Sequence, residues 1–208
     1  MSAGAGLRLH VAPASPFVRM VEVALRETGL SERVERVQAA TSPVAAGPSP
    51  VTGNPLGKIP TLERPDGPAL YDARVICRYL DALSGGRLYP AAPRLWETLT
   101  LEATGHGMAE AAVLIVYEGR VRPEGARSED WVAGQWAKVA RALDALEARW
   151  TAMLAGPLDM GQIAVGCALG YLDFRHADRA WRTGRPALAG WEARFAARPA
   201  MVATRPAG

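Results

Sequence analysis

The chain has 208 residues, 49% of them hydrophobic and 22% charged, with a formal net charge of +3. That balance predicts a soluble globular protein of one or two domains with a sizeable core, and no apolar run approaches the ~20 residues that cross a bilayer as a helix. The arginines are dispersed among acids, without the basic stripe and interleaved aromatics of a nucleic-acid surface, so neither a membrane nor a nucleic-acid partner is expected.

The first six residues, Met1 to Gly6, carry neither a charged leader nor an apolar stretch, which predicts a cytoplasmic protein. Leu7, Leu9 and Val11 alternate with Arg8 and His10, the period of a half-buried strand. Ser15-Pro16 then reads as an N-cap followed by proline at the first helical position. Phe17, Val21, Ala24 and Leu25 recur at helical spacing, and Gly29 is a fitting stop. Val34 to Val37 predicts a short strand, and 41–53, rich in Pro, Gly, Ala and Ser, a loop. Thr61 to Arg64 and Ala69 to Tyr71 predict two strands joined through Pro65-Asp66-Gly67-Pro68. Asp72 caps the next helix, whose expected apolar face is Val75, Ile76, Tyr79, Leu80 and Leu83.

Ser84 to Pro93 reads as a linker, and beyond it no strand is expected. Residues 94–118 predict a long helix with Gly105 and Gly107 as weak points. Trp131, Trp136, Val139, Leu143, Leu146 and Trp150 mark one side of a helix over 128–154. Asp159-Met160-Gly161-Gln162 resembles a capping box opening a further helix. A last helix is predicted over 187–197, with Trp191 and Phe195 four apart. Cys77 and Cys167 sit in apolar helical patterns without metal or redox spacing, and read as buried thiols. His10 and His176 have no constellation around them and are assigned no role.

The most informative stretch is Asn54-Pro55-Leu56-Gly57-Lys58-Ile59-Pro60-Thr61-Leu62. Pro60 precedes a β-leaning run, and proline is tolerated at the first residue of a strand because pairing has not begun there. The Ile59–Pro60 bond is open to the cis form, which would turn the main chain of Ile59 away from the sheet and leave it for a bound peptide.

The order β-α-β-loop-β-β-α followed by helices, with the Ser15 to Arg19 block, Asn54 to Leu62, and Tyr71-Asp72-Ala73-Arg74-Val75-Ile76, resembles the cytosolic glutathione S-transferases, in particular bacterial members that use a serine. Ala168 to Arg175 is similar to the sixth-helix segment of that family. The resemblance implies a thioredoxin-like α/β N-terminal domain (1–84), a linker (85–93) and an all-α domain (94–208) that forms the electrophile pocket. It also implies a homodimer with the site between domains, glutathione as co-substrate, and no metal.

Carried over residue by residue, the resemblance makes Ser15 the donor to the glutathione sulfur. Ile59 and Pro60 would bind the cysteinyl main chain, as a peptide adds to a sheet edge. Asp72 would pair with the γ-glutamyl amine, and the N–H groups that follow would take its carboxylate. Lys58 is placed to reach the glycyl carboxylate. Each residue also has a plainer reading: Ser15 and Asp72 as caps, Pro60 as a strand opener, Lys58 as a solvated loop side chain. The family pattern has a serine after the acid, where this chain has Ala73, which implies weaker glutathione binding. Phe17 and His106, the latter where an acid is common, are candidates for the substrate pocket. Two functions remain open: a transferase adding glutathione to small hydrophobic electrophiles in detoxification, and a glutathione-binding or regulatory module of the same fold with little activity.

Overall fold

The structure is a computed structural model describing residues 6–40, 42–45 and 53–207. It divides into two compact units, the first running to Pro90 and including Pro206 and Ala207 from the C-terminal end, and the second covering Ala91–Arg205.

The first unit contains β1 (Leu7–Val11), α1 (Pro16–Glu27), β2 (Val34–Gln38), β3 (Thr61–Arg64), β4 (Gly67–Leu70) and α2 (Ala73–Leu83). Its sheet has the order β2-β1-β3-β4. β1 and β2 run parallel, which requires a crossover, and α1 supplies it. β3 is antiparallel to both β1 and β4. This is the thioredoxin-like α/β arrangement expected. Leu9 and Leu62 from the sheet, Val21 and Leu25 from α1, and Ile76 and Leu80 from α2 are fully buried. α1 starts at the Ser15 cap and ends with Gly29 in the left-handed region at φ +73°, where glycine meets no Cβ penalty.

Two details depart from the expectation. The hairpin turn is shorter: Arg64 already pairs with Gly67, so only Pro65 and Asp66 lie between the strands. Pro68 falls inside β4, which is tolerated because β4 is an edge strand and one donor there has no partner to lose. The buried face of α2 is also rotated. Val75 and Leu83 are 45% and 42% exposed, while Ala73, Ile76, Cys77 and Leu80 are buried. The small Ala73 and Cys77 set the stripe, and the bulkier residues beside them misdirect a reading by size. The loop predicted over 41–53 lies largely outside the described residues.

The described residues of the second unit are helical and contain no strand: α3 (Arg94–Val121), α4 (Glu129–Ala145), α5 (Thr151–Leu154), α6 (Met160–Arg175), α7 (Pro186–Ala196) and α8 (Pro199–Ala203). Gly105 is not a weak point. A Cβ there would stand 2.5 Å from the main-chain carbon of Ala164, so the missing side chain lets α3 press onto α6. Gly107 has open space. α4 does not continue evenly to 154. A π turn, Leu146–Trp150, separates it from α5. Trp131, expected on the buried side, is 38% exposed beside the Ser128 cap.

Asp159 caps α6 by accepting from the N–H of Gln162 at 3.1 Å. The return half of the expected box is not made. The Gln162 amide donates instead to the carbonyls of Met153, Gly156 and Pro157. The other Asp159 oxygen accepts from the Thr98 hydroxyl at 3.0 Å, so the cap also ties α6 to α3. Trp191 and Phe195 stack with ring centroids 4.8 Å apart. α8 is too short for a periodic signal and was not foreseen. Cys77 and Cys167 are buried, as expected.

Both unassigned histidines have structural partners. His10 is buried with Nε2 2.7 Å from a Glu63 oxygen, and this hydrogen bond is the main cause that holds the Glu63 carboxyl below its usual value. His176 is buried with Nε2 donating to the Ala112 carbonyl at 3.0 Å, and burial pushes its pKa down.

Gly105→Ala should destabilise the protein by about 1–3 kcal/mol in urea unfolding, because the methyl group has no space. Gly107→Ala should be neutral or stabilising by up to about 1 kcal/mol, since alanine is the better helix former. The folded state favours neutral His176, so its contribution to stability is complete above the ordinary imidazole pKa of about 6.5 and is lost as pH falls below that value. Urea midpoints between about pH 7.5 and about pH 5.5 should therefore drop in the native protein, and drop less in His176→Gln.

Candidate functional site

Strand register brings three segments of the first unit to one end of the sheet. His10 pairs with Thr61, so the chain leaving β1 towards Ser15 runs beside the start of β3. Leu62 pairs with Leu70, so the chain leaving β4 towards Asp72 reaches the same end from the other side. Ser15, Ile59-Pro60 and Asp72-Ala73 therefore converge although they lie far apart in sequence.

Ser15 is half-buried at the head of α1. Its N–H donates to the Ala12 carbonyl at 3.0 Å, and its Oγ accepts from the N–H of Val18 at 3.2 Å. That contact uses a lone pair and leaves the hydroxyl proton for another acceptor. The helix N-terminus adds a partial positive charge at the same place. Phe17, two residues further on, is half-buried.

Asn54 secures the second segment. Buried at 1% exposure, it donates through Nδ2 to the Lys58 carbonyl at 3.0 Å and to the Thr61 hydroxyl at 3.2 Å. Its Oδ1 accepts from the N–H of Leu56 at 3.0 Å, and its carbonyl accepts from Gly57 at 2.9 Å. Thr61 Oγ1 donates to the same Lys58 carbonyl at 2.8 Å. The Ile59–Pro60 peptide bond is cis. Ile59 is half-buried, Pro60 is buried, and pairing begins at Thr61. Among the described residues, none pairs with the main-chain N–H or C=O of Ile59. The Lys58 side chain is exposed.

Asp72 follows a cis Tyr71–Asp72 bond and caps α2, accepting from the N–H of Arg74 at 3.0 Å. Its second oxygen pairs with the Arg74 guanidinium at 2.9 Å. Ala73 is buried at 1% exposure. The sequence reading missed Arg74 as a site residue; its signal is a cation two positions after an acidic cap. It also passed over Asn54, whose role depends on contacts invisible to periodicity. His106 belongs to the second unit, half-buried on α3. Among the described residues, no group of three His, Cys, Asp or Glu is arranged to hold a metal. No described helix is long and apolar enough to cross a membrane.

Comparison with known proteins agrees with this geometry. Residues 14–83 match the family profile "glutathione S-transferase, N-terminal domain", and residues 129–194 the corresponding C-terminal domain. A glutathione transferase family member from Pseudomonas fluorescens Pf-5, crystallised with glutathione bound, is 46% identical; the match covers 97% of this chain and 100% of that one at a TM-score of 0.94. The Pseudomonas protein has also been crystallised with S-(propanoic acid)-glutathione. A glutathione S-transferase from Methylobacterium radiotolerans, in complex with glutathione sulfonate, is 31% identical over 97% of this chain and 95% of that one, with a TM-score of 0.83. The GST-like protein YibF of Escherichia coli K12 is 29% identical over 92% of this chain and 95% of its own length.

Proposed function

This chain belongs to the glutathione S-transferase family, and from that premise we propose that it binds glutathione, holds its sulfur as a thiolate and adds that sulfur to a small hydrophobic electrophile. The observation that carries this reading is the convergence, at one end of the sheet, of the Ser15 hydroxyl on a helix N-terminus with the main chain of Ile59, which has no partner among the described residues. A free thiol has a pKa of about 8.5 and is mostly protonated at neutral pH. The Ser15 proton and the N-terminal dipole both favour the anion, and each unit of pKa lowering requires about 1.4 kcal/mol of preferential stabilisation. Ser15 is accordingly the proposed catalytic residue, in the manner of the serine-using members.

The remaining assignments follow. The cysteinyl N–H and C=O of glutathione pair with Ile59 ahead of Pro60. Asp72 receives the γ-glutamyl amine, and the N–H groups from Ala73 onwards receive its carboxylate. Lys58 reaches the glycyl carboxylate. Residues 1–84 bind glutathione, 85–93 link, and the helices of 94–208 hold the acceptor, with Phe17 and His106 lining its pocket. The protein acts without a metal, as a cytoplasmic homodimer in detoxification. In the reaction the sulfur bonds to the electrophilic carbon, and either a leaving group departs or the acceptor takes up a proton.

A second reading, a glutathione-binding module with little turnover, is favoured by one observation: the Asp72 carboxylate, intended for the ligand's amine, is held by Arg74. Turnover with a generic aromatic electrophile separates the two. The transferase reading expects activity that falls at least about tenfold in Ser15→Ala, one pKa unit of lost thiolate stabilisation. Loss of the cap should cost only about 1 kcal/mol, so the variant stays folded by circular dichroism. Folded wild-type protein without turnover would establish the binding module instead. Ala73→Ser restores the family hydroxyl. The position is buried, so the gain should lie near the lower end for a hydrogen bond to a charged group, about 1.5 kcal/mol, or about tenfold in the glutathione KM. An unchanged KM on titration would remove that role.

A further inference from the structure

A half-open cavity of about 240 Å³ lies where the segment joining α5 to α6 meets α7. It belongs wholly to the second unit, and no residue proposed to hold glutathione or its acceptor borders it. Leu154, Leu158, Trp191 and Phe195 form its apolar wall. Trp191, Arg194 and Phe195 share one side of α7 through their spacing of three and four, and Arg198 follows just past its end.

Several contacts fix that wall. The Trp191 indole donates to the Leu154 carbonyl at 2.7 Å, and its ring stacks on Phe195. A Cβ at Gly166 would stand 2.6 Å from the Phe195 ring, so α6 backs that ring closely. The Gln162 amide also borders the cavity and is already committed to the Met153, Gly156 and Pro157 carbonyls. Trp191 and Phe195 are buried, Arg198 is half-buried and Arg194 is exposed, which sets the rings deep and the charge at the mouth. The Arg198 guanidinium lies 5.7 Å from the Phe195 ring centroid. Among the described residues, no carboxylate is within 4.0 Å of Arg194. The acids of the adjoining elements are engaged elsewhere: Glu192 with Arg182, Asp159 with Arg94, and Glu147 with the N–H groups of Ala187 and Leu188.

We propose that this cavity binds a small aromatic carboxylate of one or two rings, with the ring against the apolar wall and the carboxylate on Arg194. A cavity of about 150 Å³ takes a benzene ring, so this one has room for a ring and its acid group. Edge-to-face contact with Trp191 and Phe195 favours an aromatic body over an alkyl chain. The guanidinium fork matches the two oxygens of a carboxylate. No bond is made or broken, and the inference stands apart from the transferase reading because glutathione has no part in it.

Calorimetry on the full-length protein tests it with 2-naphthoate and its uncharged counterpart, 2-naphthamide. The acid should bind about tenfold more tightly than the amide. Arg194→Gln should cut that preference about three- to fivefold, the scale of an exposed ion pair, and Arg149→Gln, exposed away from the cavity, should leave it unchanged. The place of binding is read from Trp191, one of six tryptophans. Its indole N–H resonance, assigned through Trp191→Phe, should move as 2-naphthoate is added. Saturating S-benzylglutathione should leave the affinity for 2-naphthoate as it was. No binding of 2-naphthoate, equal binding of acid and amide, an unaltered preference in Arg194→Gln, a stationary Trp191 resonance, or competition by S-benzylglutathione would each overturn the proposal.

Discussion

The buried amide of Asn54 spans the loop that ends at Pro60, accepting at one end from Leu56 and donating at the other to Lys58 and Thr61. Without it, the segment before β3 would have several main-chain groups to satisfy and no fixed shape. With it, the Lys58 carbonyl is held by two donors, and the main chain of the next residue, Ile59, has no partner among the described residues. A partner that pairs there meets an edge already set by folding, and little ordering is left to the binding step. Register then does the rest: the same pairing that starts β3 at Thr61 brings the ends of β1 and β4 to that edge, and with them the caps of α1 and α2.

The two caps show how one chemical feature can satisfy a helix end and still have something to offer a ligand. Ser15 and Asp72 each accept from a main-chain N–H of the following helix. The hydroxyl keeps a proton to give after capping, while the carboxylate has none and attracts cations. That difference suits Ser15 to a sulfur anion and Asp72 to an amine. It also explains why Arg74 lies on Asp72 in the structure: an exposed carboxylate two residues from a guanidinium pairs with it at little cost.

Local signals carried most of the fold. The alternation in β1, the Ser15-Pro16 start of α1, the Gly29 stop and the long periodic helices all depend on neighbours in sequence, and they appear where expected. The misses share a different cause. Gly105 read as a helix defect because its reason lies in the Ala164 main chain of another helix. The Gln162 amide turned to three carbonyls between Met153 and Pro157 that no spacing rule points to. The face of α2 was misjudged because small side chains, Ala73 and Cys77, decide which side packs. Of the proposed site, Ser15, Ile59, Pro60 and Asp72 were singled out through motif and resemblance, and the fold brings their segments to one end of the sheet. Asn54 and Arg74 were not, since each acts through partners revealed only by folding.

The contact of Gly105 with the main chain at Ala164 has a wider bearing. Two helices that touch backbone to backbone have no compressible layer of side chains between them, so they neither slide nor spread as a pair. The middle of the helical unit is thus a stiff spine, and the unit's freedom lies towards its extremities, where half-buried rings and long cationic side chains still have rotamers to choose among. Diversification of such a scaffold would therefore proceed by exchanging residues at the spine's ends, leaving its waist untouched.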